Sequence, residues 1–158
     1  MNWITLAISF LAIIISIGSL IISANRLKVA KMSAEQAKKS AQGSMELILR
    51  QSISNSRNRV EDIGIRLEEF KLNHPSNDDS VIKRSVNSAL EDSLNAYEKG
   101  CSLYLDEKID KDRFFKDFRT EIRQLVENKN LNEKYFHPTT SKFKAILKVY
   151  DLWENLEK

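Results

Sequence analysis

The chain has 158 residues, with 25 Lys and Arg against 22 Asp and Glu, a formal net charge of +3, two histidines and one cysteine. So even a balance offers no concentrated basic face of the kind nucleic-acid binding needs, and one cysteine excludes an intrachain disulfide. No low-complexity tract and no repeat of about 20 to 50 residues is present.

Residues 3–24, WITLAISFLAIIISIGSLIISA, come first, with no charged side chain before Arg26. A helix rises about 1.5 Å per residue, so some 20 apolar residues match a hydrocarbon core of roughly 30 Å. The run predicts a transmembrane helix. A cleaved signal peptide would need a positive leader and a shorter apolar run, and only Met1 and Asn2 precede this one. The reading is therefore an uncleaved signal-anchor. Arg26, Lys28, Lys31, Lys38 and Lys39 follow it, against Glu35 alone before Glu46. Lys and Arg near the end of a span stay in the cytoplasm. This predicts a single-pass protein of the cell membrane with its N-terminus outside and its C-terminal part cytoplasmic. The lone Cys101 agrees with a reducing compartment. The five basic residues also form a membrane-surface collar, each contributing on the order of 1 kcal/mol close to an anionic leaflet.

The small residues of the run are ordered. Thr5, Ser9, Ala12, Ser16, Ser19 and Ser23 alternate steps of four and three, and the phase continues through Arg26 to Ala30, Ser33, Ala37, Ser40 and Ser44. In lipid, small residues let helix backbones approach and hydroxyls bond across the contact. The pattern predicts self-association through Ser9, Ala12, Ser16, Ser19 and Ser23, with the lipid bilayer and further copies of the chain as partners. Two other readings stand beside it: a ring of helices whose serines line a narrow pore, and serines that bond back to their own helix.

The expected organisation is an anchor at 1–25, a basic juxtamembrane helical stalk at 26–46 and a cytoplasmic helical bundle at 47–158. Residues 25–73 hold no proline. From Leu49 the positions Ile53, Val60, Ile63, Leu67 and Phe70, with Ser56 in the gap, repeat as the seam of a helix that packs on others. Gly43 is the expected bend. His74 to Ser80 reads as a turn. A second helix is expected from Val81 to Leu105, capped by Asp79 or Ser80, with Ile82, Val86, Ala89, Leu90, Leu94, Tyr97, Cys101 and Tyr104 as its apolar stripe. Asp110 should cap a third helix running to Glu127, lined by Phe114, Phe115, Phe118, Ile122, Leu125 and Val126. Asn128 to Thr139 reads as a polar loop whose Tyr135 and Phe136 tuck into the core. Thr140 or Ser141 should cap a last helix carrying Phe143, Ile146, Leu147, Tyr150 and Trp153. Nothing alternates with period two, so the fold class is all-α, with short connections that favour antiparallel neighbours.

Signals for chemistry are sparse. His74 and His137 each precede a proline and have no further ligand at metal spacing, so both read as surface loop residues. Cys101 lies in an apolar stripe and reads as an inert buried thiol. Acidic pairs occur at Glu61-Asp62, Glu68-Glu69, Asp78-Asp79, Glu91-Asp92 and Asp106-Glu107; adjacent residues on a helix point about 100° apart, so most of these pairs cannot converge on one ligand and they read as solvated faces. There is no phosphate loop, nucleophile elbow or HExxH. Tyr135, Phe136 and Trp153 are the aromatics that would anchor a partner if the loop or the chain end left them exposed.

The anchor followed by the stalk ANRLKVAKMSAEQAKKSAQ resembles the small single-pass helical membrane proteins of unknown function from bacteria and prophages. The resemblance covers about the first third of the chain. It is one of pattern: it implies a bacterial inner membrane and carries over no site residue. The functional expectation is a membrane-anchored oligomerisation and interaction module with a cytoplasmic protein partner, no nucleic acid, no cofactor or metal, and no catalytic activity. The alternative is a membrane-active effector or small channel with a Ser-lined stripe.

Overall fold

The computed structural model describes residues 3–74, 78–137 and 139–155. Within the first helix, the side chains at 4–15, 17, 18 and 21 lie outside the described residues. Five helices follow in order: α1 (Trp3–Asn73), α2 (Ser80–Leu105), α3 (Lys111–Glu127), α4 (Lys129–Tyr135) and α5 (Lys144–Asn155). Every regular element among the described residues is helical, so the protein is all-α. The chain divides into two compact units, Met1–Ala41 and Gln42–Lys158.

The first unit is the N-terminal part of α1. Its described side chains are exposed, among them Trp3, Leu20, Ile22, Leu27, Val29 and Met32. Among the described residues, no helix is long and apolar enough to cross a membrane. Most of the expected transmembrane run consists of the side chains at 4–15, 17, 18 and 21, which lie outside that description.

The second unit is a helix bundle whose directions follow from its contacts. Tyr97 of α2 lies edge-on to Phe118 of α3, and Tyr104 tilts against Phe114, so α2 and α3 run antiparallel. Phe115 and Glu127 of α3 meet Trp153 and Tyr150 of α5, which is antiparallel again. Glu98 and Tyr104 of α2 meet Ala145 and Trp153 of α5, and this pair is parallel. The α1 segment of this unit pairs Glu46, Arg50 and Arg57 with Arg113, Asp117 and Glu121, parallel to α3. The core is aromatic: Tyr97, Tyr104, Phe114, Phe118, Phe136, Phe143 and Trp153 are buried together with Leu94, Ile122, Ile146 and Val149. Burying an apolar side chain of this size stabilises by roughly 1.5–3 kcal/mol.

Local signals explain most boundaries. Asp110 caps α3, its carboxylate accepting the Arg113 N–H at 2.9 Å. The expected loop at 128–139 is in part a helix. Asn128 ends α3 and caps α4, accepting the Leu131 N–H at 3.1 Å, and Asn132 Nδ2 donates back to the Val126 carbonyl at 2.9 Å. Two side-chain amides thus build a one-to-two-turn helix that has almost no apolar period to announce it. The last helix begins at Lys144, after Phe143. Neither Thr140 nor Ser141 serves as its N-cap. The Ser141 hydroxyl donates to the Tyr135 carbonyl at 2.6 Å and accepts the Phe143 N–H at 3.0 Å, which tightens the preceding turn. The first amides of α5 are met from another helix: the Glu98 carboxylate accepts the N–H groups of Ala145 and Ile146, each at 2.9 Å. The α1 helix is assigned without interruption through Gly43, the expected bend, and through Gly64. Of the turn expected at 74–80, residues 75–77 lie outside the described residues.

Candidate functional site

Two surfaces are candidates, one in each unit. In the first unit the collar residues Arg26, Lys28, Lys31, Lys38 and Lys39 are all exposed on α1. At about 100° per residue, Lys28, Lys31, Lys38 and Lys39 fall within one sector of roughly 100°, with Glu35 inside it. Ala30, Ser33, Ala37 and Ser40 fall within a sector on the opposite side, and all four are exposed. Arg26 is the exception and lies on the small-residue side. Of the expected association residues, Ser16, Ser19 and Ser23 are exposed, whereas the side chains of Ser9 and Ala12 lie outside the described residues. The Ser19 hydroxyl donates to the Ser16 carbonyl at 2.8 Å. This is the own-helix bond that lets serine sit in an apolar helix.

In the second unit a cleft of about 430 Å³ opens between α1, α2, α3 and the start of α4. Val60, Leu90, Leu125 and Leu131 give it apolar walls, and buried Ser93 and Tyr97 reach it from α2. The Tyr97 hydroxyl donates to Glu121 Oε2 at 2.5 Å, and Arg57 pairs with the other carboxylate oxygen. Burial holds the Tyr97 phenol well above its ordinary ionisation range, and the Glu121 carboxylate beside it adds to the shift. Tyr97 is thus a fixed donor. The apolar stripe of α2 places Tyr97 in the core, and nothing in the sequence signals its bond to Glu121, which lies 24 positions along the chain.

The other sequence candidates are not brought together. Tyr135, Phe136 and Trp153 are all buried, at 7%, 1% and 2% exposure, so none of them offers an aromatic anchor to a partner. Their polar atoms are used or enclosed: Trp153 Nε1 donates to the Tyr104 hydroxyl at 3.1 Å. The residues after Tyr135 fold back through the Ser141 turn, and α5 lies along α2, so both aromatic sites are covered. His74 stacks near Phe70, with ring centroids 5.3 Å apart, and His137 Nδ1 lies 3.0 Å from the Thr139 hydroxyl. Cys101 is buried, and desolvation followed by the charge of Glu98 pushes its thiol up, away from the reactive thiolate. Several acidic pairs carry surface ion pairs, as in Asp92 with Arg59, Glu91 with Lys142 and Glu107 with Lys111. Among the described residues no three His, Cys, Asp or Glu side chains converge as metal ligands.

Comparison with known proteins adds nothing to these surfaces: no family model matches the chain, and no curated protein or solved structure matches it.

Proposed function

We propose that the protein is a membrane-anchored helical module that self-associates through α1 and presents its bundle to a cytoplasmic protein partner. The observation that carries this reading is the division of α1 into two faces. The exposed Ala30, Ser33, Ala37 and Ser40 occupy one side, and Lys28, Lys31, Lys38 and Lys39 occupy the other. Two copies meeting through the small face keep these four lysines apart, where like charges would oppose association, and Arg26 is the one collar residue on that face. Those lysines are then free to face anionic headgroups. The uncharged run at 3–24 supports the anchor by its length. The basic excess after it supports an N-terminus outside and a bundle in the cytoplasm, at a bacterial inner membrane.

The test compares Ser16→Leu with Ile14→Leu in a transmembrane association reporter. Ser16 lies on the small-residue phase and Ile14 does not. Ser16→Leu should reduce the signal strongly, because a large side chain separates closely packed backbones. Ile14→Leu should leave it unchanged. Ser16→Ala should be mild, since hydrogen bonds between membrane helices average about 0.6 kcal/mol. Equal signals from the two leucine variants would end the self-association reading. A reporter that is active only outside the cytoplasm, fused at the C-terminal end, should be silent; activity there would end the orientation.

A further inference from the structure

The stretch of α1 from Glu46 to Arg59 sits on the bundle through a short apolar contact and a ladder of charge. Only Leu49 and Ile53 from it join the buried core. Four ion pairs do the rest. Glu46 meets Arg113 at 2.9 Å, Arg50 meets Asp117, Arg57 meets Glu121, and Arg59 meets Asp92 at 2.6 Å. The packing between them is open. The cleft of about 430 Å³ lies on one side of Arg57, and a second space of about 400 Å³ lies between Arg50, Ile53, Ser54, Asp117 and Phe118. The helices α2, α3 and α5, by contrast, share the aromatic core, and Glu98 of α2 also holds the first amides of α5.

We propose that residues 46–59 of α1 form a releasable strap, held by a salt-sensitive ladder on an α2–α3–α5 core that stays folded when the strap lifts. The arginine side chains of the ladder are 43–59% exposed. Such pairs each contribute about 0–1 kcal/mol and weaken with salt. The Debye length falls from about 10 Å at 0.1 M to about 3 Å at 1 M. Glu46 is the firmest rung, its side chain only 11% exposed and its other oxygen accepting the Asp110 N–H at 2.8 Å. Lifting the strap strands no charge in the interior. Asp117, Glu121 and Asp92 are already 30–49% exposed, and Asp110 itself faces solvent. Glu121 also keeps its bond to Tyr97. What the motion uncovers is apolar: the rings of Phe114 and Phe118 that Leu49 and Ile53 cover. The strap is thus a device that alternately hides and shows an aromatic surface, and it does not depend on self-association.

Hydrogen exchange on the full chain in detergent micelles, at 0.05 M and 1 M NaCl, tests the strap. Peptides from 46–59 should exchange about tenfold faster at high salt, while peptides from α2 and α5 should change less than about twofold. Arg50→Glu should speed exchange of 46–59 even at low salt, and Arg50→Glu with Asp117→Arg should restore protection. That rescue separates a broken rung from a damaged fold. Residues 46–59 exchanging in step with α2 and α5 at both salt concentrations would overturn the proposal. So would a swapped pair that fails to recover protection.

Discussion

The 12 residues of α5 bury Ala145, Ile146, Val149 and Trp153, whereas the far longer stretch of α1 from Glu46 to Asn73 buries only Glu46, Leu49 and Ile53. Both segments carry an apolar stripe at helical spacing. In α5 the stripe is enclosed by α2 and α3. In α1 the same periodicity runs on through Val60, Ile63, Leu67 and Phe70, yet these four are only half-buried and stand outside the core. Periodicity therefore tells which face of a helix turns inward. How much of that face is covered depends on how far the neighbouring helices extend beside it.

The largest expected effect sharpens this contrast. Trp153→Ala should cost about 3–5 kcal/mol, the usual loss for truncating an enclosed large aromatic. Leu67→Ala, on the half-covered stripe, should cost about 1 kcal/mol or less, since little new cavity forms. Denaturant unfolding of the two variants measures both. Equal losses would mean that the second half of α1 belongs to the core after all.

A middle-sized effect is expected at the Glu98 cap. Glu98→Gln keeps the size of the side chain but removes its charge and one acceptor, and it should destabilise the bundle by about 1 kcal/mol. The amides of Ala145 and Ile146 should lose protection first. No change at those two amides would mean that α5 is held by its apolar face alone.

The smallest effect is confined to high pH. The folded bundle holds the Tyr97 phenol above its ordinary value of 10, through burial and then through Glu121. The protonated form is the one that folding favours. Its contribution is fully present below pH about 10 and falls away as the pH rises toward the folded value. Titration of Tyr97 should leave the unfolding midpoint unchanged around neutral pH and should lower it at alkaline pH, alongside the phenolate absorbance. In Tyr97→Phe that alkaline drop should shrink.

The fold was legible wherever its cause was local. Asp110 lies three residues from the amide it accepts, so the start of α3 could be read directly. The α2 stripe was legible for the same reason, and Leu94, Tyr97, Cys101 and Tyr104 are all buried. α4 was not legible, because its helix rests on Asn128 and Asn132, amide side chains that serve turns equally well. The cap of α5 was not legible either, because Glu98 precedes Ala145 by 47 positions. Sequence pattern places Glu46 at the end of the stalk, yet its carboxylate is fixed to Asp110 and Arg113 in the bundle. Of the candidate sites, the small and basic faces of α1 follow from spacing alone. The Tyr97–Glu121–Arg57 cluster needs three helices to be placed before it exists.

The cap on α5 also bears on the order in which the bundle forms. A helix of 12 residues is marginal in isolation, because its first turn fixes several residues before any bond repays the entropy. Here two of the first amides find their acceptor only on α2. α5 should therefore gain lasting structure only after α2 is in place, and closing that long loop makes its docking a late event. Until then the seat of Trp153, between Tyr104, Phe114 and Phe115, stays open. An aromatic pocket left open during folding is a natural point for misassembly between chains.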